Sequence, residues 1–260
     1  YPSLTGYVGE PTINIVIMIL IIVGGIGFLT WDDICTNRWH FKKYRMQSKV
    51  ILVTSVILII VPAIFFFLFD FTGLPPGEKI LASLFQSVTP RTAGFNTADL
   101  TAMTESSKAI MILLMLVGGS PGSTAGGIKT TTLAVLILNA FSVCRKKNDT
   151  EVYGRRLECS AVKSASTIAV IYFLLFFIGG IIISTAEGMP LSACLYETAS
   201  AVGTVGLTLG VTPQLSVLSQ LILIVLMYLG RVGGLTLIYA AISNKNQSGA
   251  KLPLEKITVG

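Results

Sequence analysis

The chain alternates long apolar runs with short polar ones. Apolar stretches cover residues 13–30, 50–69, 109–119, 168–184 and 215–230. Several approach the ~20 residues that a helix needs to cross the hydrocarbon of a bilayer, so the pattern predicts an all-α membrane protein. Residues 78–88 and 191–202 are apolar helices too short to span, and each runs into a glycine-containing turn, residues 89–97 and 203–208. Each must enter the membrane and return on the same face. Starting inside after Lys49, residues 50–70 run out with Pro62 as a kink, residues 72–77 turn outside, and the first short helix and loop dip in. The helix from Ala109 then runs back to Arg145. Residues 166–184 run out again, residues 187–190 turn, the second short helix and loop dip in, and residues 215–243 return.

One unit of span, short helix, loop and span therefore occurs twice, and residues 1–31 match the tail of a third copy. The closing spans align on Ile17 to Gly27, Ile110 to Gly119 and Leu221 to Gly234, each an apolar run ending in paired glycines. Repeats of this kind around a central site are a common plan of membrane transport proteins. The organisation read from the repeat is a last span and cytoplasmic loop over 1–49, one unit over 50–160, another over 161–246 and a tail over 247–260. The opening Tyr1-Pro2-Ser3-Leu4 reads as the middle of a longer chain, so we expect the N-terminal part to be missing.

Composition agrees with the span pattern. Only 12% of the 260 residues are charged, mean hydropathy is +0.76, and about a quarter would be charged in a soluble domain. The net charge of +6 raises the question of nucleic acid, but its placement answers it. Basic residues gather at 38–49, 145–163 and 245–256, while residues 70–79 and 184–195 carry a single lysine between them. By the positive-inside rule, loops 36–49 and 144–163 and the C-terminus are cytoplasmic, in a multi-pass protein of the cell membrane surrounded by lipid. No nucleic acid partner is expected. Cys35, Cys144, Cys159 and Cys194 have no ligand spacing and read as packing residues, and His40 as a solvated loop residue.

Irregular backbone at membrane depth is tolerated only where protein buries it or where it lines a watery cavity. Two such loops converging on one cavity invite comparison with the T-V-G-Y filter of potassium channels, whose carbonyls replace the ion's water shell. Thr92-Ala93-Gly94-Phe95 and Thr204-Val205-Gly206-Leu207 stand in that position. Glycine lets carbonyls turn toward an axis, and the C-terminal end of each short helix offers a partial negative charge to a cation. The plain alternative is a pair of tight turns between helices.

Residues 118–132, Gly-Gly-Ser-Pro-Gly-Ser-Thr-Ala-Gly-Gly-Ile-Lys-Thr-Thr-Thr, interrupt the returning span. Gly118-Gly119-Ser120-Pro121-Gly122 fits G-x-S-x-G, yet a nucleophile elbow needs a preceding strand and a histidine, and His40 is on a distant loop. Ile128 separates Gly127 from Lys129 and breaks the phosphate-loop spacing. Glycine costs about 1 kcal/mol and proline about 3 inside a helix, so the stretch reads as a loop halfway across, followed by helix over 131–143. Arg231 sits in a span, where a charge usually faces a cavity; it holds the loop there or snorkels to the inner interface. Lys129 is equally open, and Arg91, beside the first loop, is expected to brace it against a carboxylate.

Residues 89–97, 118–130 and Gly230-Arg231-Val232-Gly233 together are similar to the Trk/Ktr/HKT superfamily of potassium transporters, closest to its KtrB branch, over the whole chain. The resemblance implies four units in one polypeptide, each giving one filter strand, so that two strands are absent from these residues. It implies K⁺ as the transported ion, held by backbone carbonyls of Thr92, Ala93, Gly94, Phe95, Thr204, Val205, Gly206 and Leu207. It makes the glycine-rich stretch an intramembrane gate built on Gly118, Gly119, Gly122, Gly126, Gly127 and Lys129, with Arg231 against it. Partners implied are a second copy, giving a homodimer, and a cytoplasmic ring of nucleotide-binding regulatory subunits; basic loops and residues 252–260 offer docking surfaces. No enzyme activity or cofactor is implied, nucleotide belonging to the regulator. A Trk- or HKT-like carrier with Na⁺-linked selectivity, a membrane hydrolase using Ser120 and a non-conducting scaffold remain as alternatives.

Overall fold

A computed structural model describes residues 3–38, 40–147 and 149–233. The end of the last expected span, the basic residues Lys245, Lys251 and Lys256, and the docking tail 252–260 lie outside the described residues.

The chain opens with α1 (Pro11–Ile26), with proline in the first turn, where its missing N–H is no loss. Residues 13–30 are not one straight span. The helix stops at Gly27 and resumes as α2 (Phe28–Asn37) at an angle of 99°. Gly27 has φ +89°, and a Cβ there would lie 2.4 Å from the carbonyl oxygen of Pro121, so both conformation and contact require glycine. Asp33 on α2 accepts from the Arg45 backbone N–H at 3.1 Å and the Ser48 hydroxyl at 2.5 Å, which ties α2 to the next helix.

That helix, α3 (Met46–Phe69), contains Pro62; α4 (Pro76–Val88) packs back along it. The return is split into α5 (Glu105–Leu116) and α6 (Thr130–Cys144). A hairpin of β1 (Glu151–Val152) and β2 (Arg155–Arg156) follows, inside the basic loop. Its two-residue turn, Tyr153-Gly154, has positive φ at both positions, as a tight hairpin requires. The second unit is α7 (Cys159–Glu187), α8 (Leu191–Val202) and α9 (Val217–Val232). Among the described residues α3 and α7 are each long and apolar enough to cross a membrane, and α1 with α2 qualifies as one bent pair.

The short helix α8 sits between α7, α9 and α5, and α6 bridges α3 and α7. Their shared core holds Phe66, Met111, Met115, Tyr172, Tyr196 and Val202. Val56, Ile60 and Ile64, and likewise Phe173, Phe177 and Ile181, lie one turn apart and are exposed, apolar stripes that suit contact with lipid.

Both units close the far end of their long helix in the same way. Asp70, the residue after α3, accepts from the backbone N–H of Thr104 at 3.0 Å and from the Ser107 hydroxyl. Glu187, ending α7, accepts from the Ser216 N–H at 3.0 Å and from the hydroxyls of Ser216 and Ser219, both at 2.5 Å. Thr104 and Ser216 are the N-cap residues of α5 and α9, so each outer helix caps the returning helix with a carboxylate, where the dipole favours negative charge.

The cysteines do not share one packing role. Cys194 is buried, but Cys35, Cys144 and Cys159 are exposed and all four are free, because the last two sit where α6 and α7 meet the polar loop and Cys35 faces outward from α2.

Candidate functional site

The two short helices end in loops of one design. Thr92 and Gly94 have φ +62° and +76°; Thr204 and Gly206 have φ +53° and +94°. Left-handed φ is rare for a β-branched residue and is held only where the surroundings enforce it. Ala93 and Val205 are not in that region, so in each loop one residue outside the left-handed region stands between two inside it. Side chains of the short helices supply the enforcement. Thr89 donates its hydroxyl to the Phe95 carbonyl, and Ser200 accepts from the Gly206 N–H at 3.1 Å. Farther along the second loop, the buried Glu197 carboxylate accepts from Thr208 Oγ1 at 2.7 Å, Leu209 N–H at 3.0 Å and Thr212 Oγ1 at 2.6 Å.

The loops touch. A Cβ on Gly94 would fall 2.1 Å from the Val205 carbonyl oxygen and 3.3 Å from the Gly206 Cα, which leaves glycine as the residue that permits the approach. Gly94, Val205 and Gly206 are thus brought to one place, while Phe95 is 46% exposed.

Residues 118–128 pack against the first residue of both loops. A Cβ on Gly126 would lie 2.2 Å from Thr204 Oγ1, and one on Gly118 would lie 1.9 Å from the Gly126 carbonyl oxygen and 3.4 Å from Thr92 Cγ2. The stretch has a laced neck: Gly118 N–H donates to Ile128 O at 2.9 Å, Ile128 N–H to Leu116 O at 3.0 Å, and Thr130 N–H to Gly119 O at 3.1 Å. Its outer edges are held by glycine breaks in the neighbouring helices. Ser120 N–H donates to Gly25 O at 2.9 Å, Phe28 N–H to Gly122 O at 3.3 Å, and Gly127 N–H to Gly230 O at 3.4 Å. Ser120 is fully buried, and among the described residues its hydroxyl pairs with Thr130 Oγ1 at 2.9 Å and not with a histidine or carboxylate.

Arg231 donates from Nη1 to the Thr124 carbonyl, and Lys129 donates from Nζ to the Ala125 carbonyl at 2.6 Å. Both cations therefore grip the same bend of the loop. Arg91 differs from expectation: none of the ion pairs among the described residues includes it, and its buried Nε and Nη2 have no hydrogen-bond partner there. A cavity of about 420 Å³ opens beside it, between α1, the first loop and Thr124-Ala125.

Some of these residues escaped the sequence reading. Gly25, Gly27, Thr89, Thr124, Glu197 and Ser200 hold the site together. The signals available were the Gly24-Gly25-x-Gly27 run and the polar side chains, Glu197 among them, on two short and otherwise apolar helices.

Comparison with known proteins fits this geometry. Residues 2–249 match the TrkH family model, described as cation transport protein. The chain is 35% identical to the Ktr system potassium uptake protein B of Bacillus subtilis, over 99% of this chain and 59% of that protein. It is 36% identical to the potassium/sodium uptake protein NtpJ of Enterococcus hirae, over 94% of this chain and 56% of the relative. The chain thus spans little more than half the length of these relatives. The crystal structure of the potassium transporter TrkH from Vibrio parahaemolyticus superposes with a TM-score of 0.75 at 20% identity, covering 93% of this chain and 54% of that one, and so shares the fold. With a family model matched over nearly its whole length, the chain belongs to the TrkH family of cation transport proteins.

Proposed function

We propose that this chain contributes two of the filter strands and the gate of a potassium-conducting membrane subunit of Ktr type. The observation that carries the reading is the close contact of two Thr-x-Gly loops that share left-handed threonine and glycine, with the glycine-rich loop packed against the threonine of each. In that arrangement the carbonyls of residues 92–95 and 204–207 substitute for water around K⁺. The loop of residues 118–130 obstructs the path, and Arg231 and Lys129 hold it there through the Thr124 and Ala125 carbonyls. Residues 50–160 and 161–246 act as two successive pore units, with 1–49 closing an earlier one and 247–260 a cytoplasmic tail. Loops 36–49 and 144–163 face the cytoplasm, where a nucleotide-binding ring docks on a homodimer; the chain itself is no enzyme and binds no cofactor. The Ktr system naming of the relatives supports a multi-component assembly.

The test is Rb⁺ flux into proteoliposomes with the full-length protein that contains this chain, wild type against Gly94→Ser. Rb⁺ uptake that loses its preference over Na⁺ in the variant is the expected result; no flux from the wild type would sink the reading. The naming of NtpJ for both ions favours a second possibility, Na⁺-linked selectivity, which Na⁺ flux equal to that of Rb⁺ in the wild type would reveal.

A further inference from the structure

A groove of about 230 Å³ runs between α3 and α6 and ends under the β1–β2 hairpin. Val53, Thr54 and Ile57 of α3 line one wall, and Leu133, Ala134 and Ile137 of α6 line the other. No charged side chain lines it among the described residues. The groove follows α3 from Val50 to Leu58, about 12 Å at the rise of a helix. That is close to the ~15 Å that one leaflet contributes to the hydrocarbon core of a bilayer. A helix about 10 Å across would need several times this volume over the same length, so the space suits a single acyl chain.

The hairpin end of the groove favours an anion. Tyr153 lines the groove there, and Lys49 sets its ammonium 5.7 Å from the centre of the Tyr153 ring and 6.0 Å from that of Phe41. Both rings are exposed, as aromatic side chains at the headgroup level of a membrane are. One N–H of Lys49 goes to the Lys42 carbonyl at 2.8 Å, which leaves two for a ligand. Lys42, Lys43, Lys49 and Arg155 enter none of the ion pairs among the described residues. Asp32, Asp33, Asp149 and Glu151 are already engaged by Arg45, Arg156 and Lys147, so positive charge is in excess at this end. Basic sites beside spanning helices are where acidic lipid headgroups bind.

We infer that the groove between α3 and α6 holds one acyl chain of an anionic glycerophospholipid from the leaflet on that side, with the phosphate at Lys49. The apolar walls take the chain, and the phosphate meets the two remaining N–H groups of the ammonium. Tyr153 joins the two parts of the site, since its ring both lines the groove and flanks Lys49. A zwitterionic lipid offers the same chain but cancels the charge of its own phosphate, so the site selects for net negative charge. The site is separate from the proposed pore and does not depend on it.

The experiment uses the full-length protein that contains this chain, taken from vesicles of equal parts phosphatidylcholine and phosphatidylglycerol. Native mass spectrometry then counts the lipids that stay bound. Thr54→Phe fills the groove, Lys49→Gln removes the charge and Lys49→Arg keeps it. Val56→Phe, on the exposed stripe of α3 outside the groove, and Lys163→Gln, outside its lining, are the controls. The wild type is expected to retain phosphatidylglycerol in preference to phosphatidylcholine. Lys49→Gln should retain about five-fold less, the effect of one basic residue at an acidic lipid surface, and Thr54→Phe should lose at least as much. Lys49→Arg and both controls should behave as the wild type. An experimental map in phosphatidylglycerol nanodiscs, with tubular density along α3 and α6 that ends at Lys49, decides the matter if the variants do not fold. Equal retention of the two lipids by the wild type overturns the inference, as does wild-type retention by Thr54→Phe. So does a map in which the groove is empty or filled by polypeptide. Lipid retention is read without ion flux, so a wild type that does not conduct removes the pore reading alone.

Discussion

Alanine at Gly94 and alanine at Gly206 should have different effects, although the two glycines occupy matching places. A methyl at Gly94 falls 2.1 Å from the Val205 carbonyl oxygen and 3.1 Å from its carbon, where ordinary contact begins at 3.4 Å. The obstacle is backbone, which has no rotamer to change, so the two loops have to part by about 1.3 Å. A methyl at Gly206 meets nothing within 4 Å. Both positions carry left-handed φ, 76° and 94°, and an L residue there costs about 1–2 kcal/mol. The strain is common to both substitutions, while the displacement belongs to Gly94 alone. Strain of that size changes a folding equilibrium by about 5–30-fold, so both variants should melt lower in detergent. Coordination by carbonyls depends on where the loops stand, so only Gly94→Ala should also lose its preference for Rb⁺ over Na⁺ in proteoliposome uptake. A Gly94→Ala protein with wild-type preference, or a Gly206→Ala protein that loses as much, would refute the reasoning.

Other substitutions test the remaining contacts. Gly126→Ala pushes a methyl to 2.2 Å from Thr204 Oγ1, which should lift residues 118–128 off the loops and raise basal Rb⁺ flux; reduced flux would count against an obstructing role. Arg231→Gln removes the charged donor to the Thr124 carbonyl. At an exposed position such a bond is worth about 1.5 kcal/mol, the low end of its range, so the ratio of closed to open states should fall by about ten-fold, as seen in single-channel open probability. Asp70→Ala leaves the Thr104 N–H and Ser107 hydroxyl without their acceptor in a buried setting. A loss of about 1–3 kcal/mol is expected, measured as a lower Tm, with ion preference unchanged in the protein that remains folded.

The spans, the short helices and both Thr-x-Gly loops are legible in the sequence because each rests on a local signal. Residues 191–202 were delimited from hydropathy alone and match α8 at both ends. What was not legible depends on contacts between distant segments. The break at Gly27 is written locally only as one more glycine in an apolar run; its cause is the Pro121 carbonyl, which arrives from another part of the chain. The hairpin at Glu151–Arg156 is two residues a side, too short for a period of two to register. Arg91 gave the opposite error. An arginine beside a loop suggests a carboxylate, but no ion pair among the described residues includes Arg91.

The laced neck of the glycine-rich stretch limits how that stretch can move. Val117 and Ile128 bridge in parallel, and the flanking amides tie Gly118 to Ile128 and Thr130 to Gly119. A flap sewn shut at its root swings about the seam instead of unravelling. Its tip, from Ser120 to Ala125, can therefore depart from Gly25, Gly122 can release Phe28, and Thr124 can slip from Arg231 while the ends of α5 and α6 stay side by side. If the stretch gates the pore as proposed, the work of moving it is then set by those few peripheral bonds, and it would change little if residues were inserted at the tip.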